Sequence, residues 1–246
     1  MIIIGTSGWQ YSDWRGVLYP ASLPVHDWLR YYSQEFACVE VNMTFYRMPK
    51  QQTVAGWAAA TPERFRFCVK LNRTITHLAR LRDARSRIPS FVDAMAPLGN
   101  KLGALLMQLP PSLAYDLDLL EQALAAFPPK IRVAVEFRHD SWWRDETLEC
   151  LADHRAALCY ADRAETHLSP LWVTTSWCYA RLHEGAGEDA PSYTQERLLE
   201  WAGLLAANGR PSEGFVFFNN DTRGCAVRDA RRLRSIIAEI NPTNVT

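Results

Sequence analysis

The stretch Val133–Trp143, VAVEFRHDSWW, begins as an apolar run and ends in charged and aromatic side chains. Successive side chains of a strand point to opposite faces, so Val133 and Val135 share one face while Glu136 and Arg138 share the other. The charged pair comes late, near the carboxyl end of the run. Barrel enzymes build their active sites from strand ends and the loops that follow them. The stretch therefore predicts a buried strand that delivers polar groups to a site.

Seven further apolar runs resemble this one, and most of the segments between the runs carry helical patterns. The runs occupy residues 2–5, 37–42, 66–71, 102–109, 132–137, 156–161, 177–182 and 214–220, and the helical patterns occupy 23–36, 53–60, 91–98, 117–127, 147–154, 194–208 and 225–240. Eight alternating units predict an α/β protein formed as a single (β/α)8 TIM barrel over residues 1–246. A doubly wound open sheet is the alternative. The short gap 162–176 predicts a short or absent helix between strands six and seven.

The composition is that of an ordinary globular protein, with 48% hydrophobic residues and 27 basic residues balancing 27 acidic ones. Zero net charge gives no reason to expect a nucleic-acid or membrane partner, although a local basic cleft is compatible with it. No apolar run reaches the ~20 residues that span a bilayer, and the opening MIIIGTSGW lacks the basic start of a signal peptide. The six cysteines form no CxxC pair, so we expect buried free thiols in a reducing, cytoplasmic setting.

The same alternation applied to the other runs brings their late polar residues to one face. If the strands form a barrel, these side chains converge at its carboxyl-terminal mouth, so we predict that they are catalytic: Glu40, Lys70, Glu136, Arg138, Arg181 and His183. Asn42, Gln108 and Asn219 share that phase and are predicted to contact substrate. Pairs such as Glu136–Arg138 and Glu40–Lys70 could instead be satisfied structural ion pairs inside a barrel.

Tryptophans and metal ligands give weaker signals. Trp9, Trp14 and Trp142 follow strands and could stack on a sugar or base, or simply pack in the interior. Hard oxygen and imidazole ligands for a divalent cation are available at Glu40, Glu136, Asp162, His183 and Asp221. Their spacing is not diagnostic and no known catalytic motif occurs. We therefore assign no metal ligand, and leave a divalent cation as an open cofactor.

Seven segments in order resemble the successive motifs of the YecE-like family, a domain of unknown function. They are GTSGWQYSDWRGVLYP (5–20), VEVNMTFYRMPKQQTVAGW (39–57), FRFCVKLNRTITH (65–77), LLMQLPPS (105–112), VAVEFRHDSWW (133–143), YARLH (179–183) and FFNND (217–221). The resemblance runs over nearly the whole chain and implies a single TIM-barrel domain, but no established reaction. It adds Tyr46, His77 and Asn220 to the expected substrate contacts.

Three functions remain in competition. The leading expectation is an enzyme, most concretely a phosphoester hydrolase, acting on an anionic, phosphate-bearing or nucleotide-like small molecule. Glu40 or Glu136 would be its general base and His183 its acid partner, with Arg and Lys side chains supplying positive potential. The alternatives are a glycosidase that uses two carboxylates and a non-enzymatic module that binds nucleic acid or protein. The oligomeric state is not predicted.

Overall fold

A computed structural model describes residues 1–186, 191–206 and 213–240. Within these residues every apolar run forms a strand, and an additional two-residue strand, β7, follows β6. The strands are β1 Ile2–Ser7, β2 Cys38–Val41, β3 Arg66–Lys70, β4 Leu102–Gln108, β5 Val133–Glu136, β6 Ala157–Arg163, β7 Thr166–His167, β8 Trp177–Leu182 and β9 Glu213–Phe218. The predicted strand positions are confirmed to within two residues at nearly every end.

The strands form one sheet in the order β5-β4-β3-β2-β1-β9-β8-β6-β7, counted over the described residues. A further parallel pairing of β5 with β6, through Ala134 and Ala157, joins the two ends of this order. Eight strands therefore close on themselves, and among the described strands only β7 pairs antiparallel, through His167 opposite Asp162. This is the topology of a (β/α)8 TIM barrel, and the open-sheet alternative is wrong.

The helices follow the predicted alternation. They are α1 Trp28–Glu35, α2 Met43–Tyr46, α3 Gln51–Ala59, α4 Ala84–Met95, α5 Leu117–Leu124, α6 Asp145–Asp153, α7 Gln195–Ala206 and α8 Cys225–Ile240. Residues 162–176 contain β7 and no helix, as expected. The predicted end of α7 at Gly209 lies outside the described residues.

One helix begins earlier than its pattern predicts. Helix α4 starts at Ala84 instead of residue 91 and contains Pro89. Proline has no N–H to donate inside a helix, yet the helix continues through it. The buried side chains of Ile88, Phe91 and Met95 hold the longer helix against its neighbours.

The described chain divides into two compact units, each assembled from separate segments. Unit 1 comprises 1–40, 160–169 and the described part of 176–246, and its interior contains the rings of Trp14, Tyr179 and Trp201. Unit 2 comprises 41–159 and 170–175, and Phe67, Phe91 and Trp142 lie in its interior.

The cysteine prediction is confirmed. All six cysteines lie in the described segments, and each is free and buried. None of the helices in residues 1–186, 191–206 and 213–240 has the length and apolarity needed to cross a bilayer.

Candidate functional site

In unit 1, the strand register brings three polar side chains to one face. Ser7 on β1 lies opposite Glu40 on β2, and Gly5 and Arg181 both pair with Phe217. Gly5 allows the close approach of β1 to β2, since a Cβ there would lie 2.3 Å from the Cys38 carbonyl oxygen. Because side chains alternate between the two faces of a strand, those of Ser7, Glu40 and Arg181 point to the same face of the sheet.

These side chains and Tyr179 form the Glu40 cluster, which is buried and mutually hydrogen-bonded. Glu40 Oε1 accepts from Ser7 Oγ at 2.7 Å and from Arg181 Nη2 and Nε at 2.9 and 3.2 Å. Glu40 Oε2 accepts from the Tyr179 hydroxyl at 2.6 Å. Glu40 and Tyr179 are fully buried, and Arg181 is 1% exposed. The carboxylate is thus neutralised by a guanidinium and saturated with donors, which is the arrangement that makes a buried charge tolerable.

His183 and Asn219 extend the same face of unit 1. The Asn219 Nδ2 and His183 Nδ1 atoms lie 3.1 Å apart, and the backbone N–H of His183 donates to the Asp162 carbonyl at 2.8 Å. His183 is only 7% exposed. The two predicted residues are therefore brought together, and His183 is held through both its ring and its backbone N–H.

In unit 2, Gln108, Glu136 and Arg138 form the Glu136 cluster at the ends of β4 and β5. Gln108 is paired with Glu136 in the sheet, and its Nε2 donates to Glu136 Oε1 at 3.4 Å. Arg138 Nη2 forms an ion pair with the same oxygen. The Glu136 side chain is 1% exposed whereas that of Arg138 is 15% exposed, so the guanidinium lies between a buried carboxylate and the surface.

A second group in unit 2 is cationic and aromatic, and we call Phe45, Lys70, Arg73 and His77 the Lys70 cluster. Lys70 Nζ lies 4.3 Å from the centre of the Phe45 ring, and the His77 ring packs edge-on against Phe45 at 4.8 Å. Burial, followed by the charges of Lys70 and Arg73, lowers the pKa of His77 below its ordinary value. The imidazole is therefore held neutral beside two cations.

The Lys70 and Glu136 clusters lie on the same face of unit 2. Lys70 pairs with Leu106, and Gln108, two residues further along β4, pairs with Glu136. Residues two apart on a strand share a face. Strands are spaced about 4.8 Å apart, so one small molecule at the ends of β3, β4 and β5 can reach both clusters.

The loop after β2 is fixed to β3 by a buried threonine. Thr44 Oγ1 donates to the Lys70 carbonyl at 2.7 Å, and Asn72 Nδ2 donates to the Thr44 carbonyl at 2.7 Å. This anchoring holds helix α2 and places its Phe45 beside Lys70. Tyr46, the last residue of α2, packs edge-on against Phe45 at 5.1 Å and is 73% exposed.

Several predicted substrate contacts instead have structural partners. Trp14 and Trp142 are fully buried and donate to the carbonyls of Asp221 and Leu113, respectively. Trp9 is 4% exposed. Asn220 braces helix α8, because its Nδ2 donates to Asp229 Oδ2 at 2.8 Å. The structure favours the packing interpretation for these residues, and their contact with substrate stays a prediction.

The suggested metal ligands do not gather. Among the described residues no three His, Cys, Asp or Glu side chains approach closely enough to hold an ion. Asp162 instead accepts hydrogen bonds from Arg197 Nε at 2.8 Å, Trp201 Nε1 at 3.0 Å and the Tyr193 hydroxyl at 3.1 Å. Asp162 and Arg197 thus form a second buried ion pair, which ties β6 to helix α7.

The sequence assigns Lys70 and His77 to the site and offers Arg73 as a source of positive potential, and the family resemblance includes Phe45. A signal was present in the charges, since residues 70–87 contain six basic side chains and one acidic one in a chain of zero net charge. Whether the Glu40 cluster of unit 1 and the two clusters of unit 2 share one pocket, as the sequence predicts, stays a prediction.

Comparison with known proteins places this arrangement in a family. The sequence matches the family model described as "Protein of unknown function DUF72" over residues 3–244. It is 33% identical over 144 residues to the UPF0759 protein YecE of Escherichia coli K12, covering 58% of this chain and 50% of that protein. It is 30% identical over 156 residues to the UPF0759 protein YunF of Bacillus subtilis, covering 58% and 52%. The chain thus spans about half the length of the curated relatives it matches.

Solved structures extend the likeness over nearly the whole chain. A DUF72 family protein of Thermotoga maritima superposes with a TM-score of 0.84 at 30% identity, covering 96% of this chain and 99% of that one. One from Enterococcus faecalis superposes with a TM-score of 0.82 at 22% identity, covering 96% and 95%, and supports the fold alone.

Proposed function

We propose that this chain, which belongs to the DUF72 family of proteins of unknown function, is an enzyme. It acts on a phosphate-bearing small molecule by acid/base chemistry. The site lies at the ends of β3, β4 and β5. The proposal rests on the Lys70 cluster. There, burial and the charges of Lys70 and Arg73 lower the pKa of His77 and keep its half-buried imidazole neutral. A bound phosphate would offset the charges of both cations.

Local charge supports an anionic ligand. The neutral total conceals the excess of six basic residues over one acidic residue between 70 and 87. Arg73, Arg82 and Arg85 are exposed there, and no carboxylate forms a salt bridge with any of them in the described part of the chain. A small positive excess beside a low-dielectric wall concentrates anions, and Arg holds phosphate oxygens in a two-pronged geometry.

His77 is the side chain best suited to move a proton. Its Nδ1 lies 2.8 Å from the hydroxyl of Thr76, which is 1% exposed. With Nδ1–H donating to Thr76, Nε2 is the basic nitrogen, and its lowered pKa keeps it unprotonated at neutral pH. In phosphoester hydrolysis Nε2 would take the proton from the attacking water and return it to the leaving oxygen.

The acid/base assignment from the sequence is revised in this proposal. Glu40 accepts hydrogen bonds from Ser7, Tyr179 and Arg181, so it is a poor general base or nucleophile. The glycosidase alternative needs two available carboxylates and is therefore not favoured. Glu136, held by Gln108 and Arg138, is assigned a role in positioning Arg138 for the anion. Buried free thiols support a cytoplasmic setting as part of the same proposal.

Calorimetric titration of the full chain with inorganic phosphate at low salt tests the anion site, with and without Mg²⁺ or Mn²⁺. Low salt is used because screening is then least. Lys70→Met should weaken phosphate binding by roughly tenfold, since it removes a charge at close range. Lys130→Met is the matched control, because Lys130 is an exposed lysine of the same unit.

Activity is tested next with a panel of phosphomonoesters, in which His77→Gln should lower kcat by at least about a hundredfold. Failure of the wild-type chain to bind phosphate under any of these conditions would sink the proposal. Equal losses in Lys70→Met and Lys130→Met would show that the binding is nonspecific.

A further inference from the structure

We infer that the substrate carries a planar aromatic ring, and that this ring stacks on Tyr46 while its phosphate lies at the Lys70 cluster. The substrate class is then a nucleoside monophosphate or a closely similar molecule. The inference rests on the proposed function and specifies the ligand of the same site.

The first support is the position of Tyr46. It is 73% exposed although the ring next to it, Phe45, lies directly against Lys70 and His77. Tyr46 lies 5.1 Å from Phe45, and Phe45 lies 4.3 Å from Lys70 Nζ, so Tyr46 and the ammonium are within about 10 Å of each other. A sugar linking a ring to a phosphate spans that separation.

The second support is that the exposed ring is held on a fixed backbone. Helix α2 is a single turn, too short to be stable alone, but Thr44 is fully buried and bonded to the carbonyls of both Val41 and Lys70. Asn72 bonds the Thr44 carbonyl in turn. A ring presented on such a turn loses little conformational freedom when a ligand stacks on it.

The third support is the surface around Tyr46. Met43 and Met48, in the same segment, are 42% and 40% exposed, and Leu78, next to His77, is 66% exposed. Exposed apolar side chains in the segments that carry Tyr46 and His77 suit a ligand that is itself part apolar and part anionic. Methionine sulfur also packs favourably against aromatic rings.

The fourth support is an unused acceptor at the start of the same turn. Asn42 Oδ1 is buried, and it accepts no hydrogen bond from any described residue. A buried amide oxygen without a donor is costly. A hydroxyl or amino group of the ligand would supply the missing donor, and Asn42 is one of the residues that the strand pattern assigned to substrate contact.

Titration of the full chain at low salt with AMP, ribose 5-phosphate and inorganic phosphate tests this inference. AMP should bind roughly tenfold or more tightly than ribose 5-phosphate, because only AMP has a base that can stack on the aromatic ring. Tyr46→Ala should remove that preference and leave phosphate binding unchanged, whereas Tyr46→Phe should keep it. Leu199→Ala is the control, since Leu199 is an exposed apolar residue of unit 1 at 48% exposure.

The possible outcomes separate the two proposals. Equal affinity for AMP and ribose 5-phosphate, or an unchanged AMP affinity in Tyr46→Ala, overturns the inference and leaves the proposed function standing. Absence of binding to all three ligands overturns both. Tight binding of a single-stranded oligonucleotide without binding of AMP overturns the small-molecule class in favour of a nucleic-acid strand.

Discussion

The Glu40 cluster and the Lys70 cluster both combine charged and aromatic side chains, but they differ in burial and in the signs of the charges they bring together. In the first, an anion and a cation meet fully buried, with every carboxylate oxygen occupied by donors. In the second, Lys70 and an imidazole lie against a half-buried ring, and burial, followed by the charges of Lys70 and Arg73, lowers the pKa of that imidazole. A guanidinium partner makes a buried carboxylate tolerable, whereas cations beside an imidazole near the surface attract a ligand of opposite sign.

The largest expected effect comes from breaking the matched pair. Arg181→Met leaves the Glu40 carboxylate buried without its guanidinium, and loss of one partner of such a pair costs about 3–5 kcal/mol. Lys70→Met removes a cation from the Lys70 cluster and should change the free energy of unfolding by less than about 1 kcal/mol. Urea denaturation of both variants measures the difference.

The double variant Glu40→Gln/Arg181→Met sharpens this test. It removes both charges, so it should recover part of the stability that Arg181→Met loses. If Arg181→Met unfolds at the wild-type urea concentration, the Glu40 cluster is not the stabilising element described here.

A smaller effect is expected from two matched tyrosines. Tyr179→Phe removes the hydroxyl that donates to Glu40 Oε2 at 2.6 Å, and a hydrogen bond to a buried charge is worth about 1.5–3 kcal/mol. Tyr46→Phe removes an exposed hydroxyl and should stay within about 0.5 kcal/mol of wild type. Thermal unfolding of both variants measures these losses of stability. A larger loss in Tyr46→Phe than in Tyr179→Phe would reverse the roles assigned to the two clusters.

The sequence predicts the fold and the faces of the strands well, because both follow from alternation. The late position of Glu40, Glu136 and Arg181 in apolar runs is visible without coordinates, and the structure brings Glu40 to Arg181 and Glu136 to Arg138. The suggested structural pairing of Glu40 with Lys70 stays a prediction, and the structure shows Arg181 as a partner of Glu40. Alternation fixes a face of a strand but gives no distance between strands remote in sequence.

What the sequence could not show is which charges are already satisfied. The donors to Glu40 come from residues 7, 179 and 181, and no local pattern connects segments so far apart. The Lys70 cluster depends on α2, a single turn, and on the π-helical turn Thr74–Leu78 that carries His77. Such short or irregular elements have no periodicity to detect, although π-helical turns often occur at functional sites.

The smallest effect, and the most direct test of the Lys70 cluster, is the titration of His77. Its pKa should lie below the ordinary 6.5 in the free protein, because burial and the charges of Lys70 and Arg73 disfavour the imidazolium. Lys70→Met should raise that pKa toward the ordinary value, and so should added phosphate. NMR titration of the imidazole protons, assigned with His77→Gln, measures all three.

The sign of the linked stability change follows from the lowered pKa. As pH falls below the ordinary histidine pKa, the unfolded chain takes up the His77 proton before the folded chain does, so His77 destabilises the fold in acid until the pH passes below its folded pKa. Lys70→Met should narrow that pH window, and phosphate should narrow it in the wild type. A His77 that titrates at or above 6.5 without ligand, or that ignores phosphate, would mean that the two cations do not act on it, and the contrast between the two clusters would then be one of burial alone.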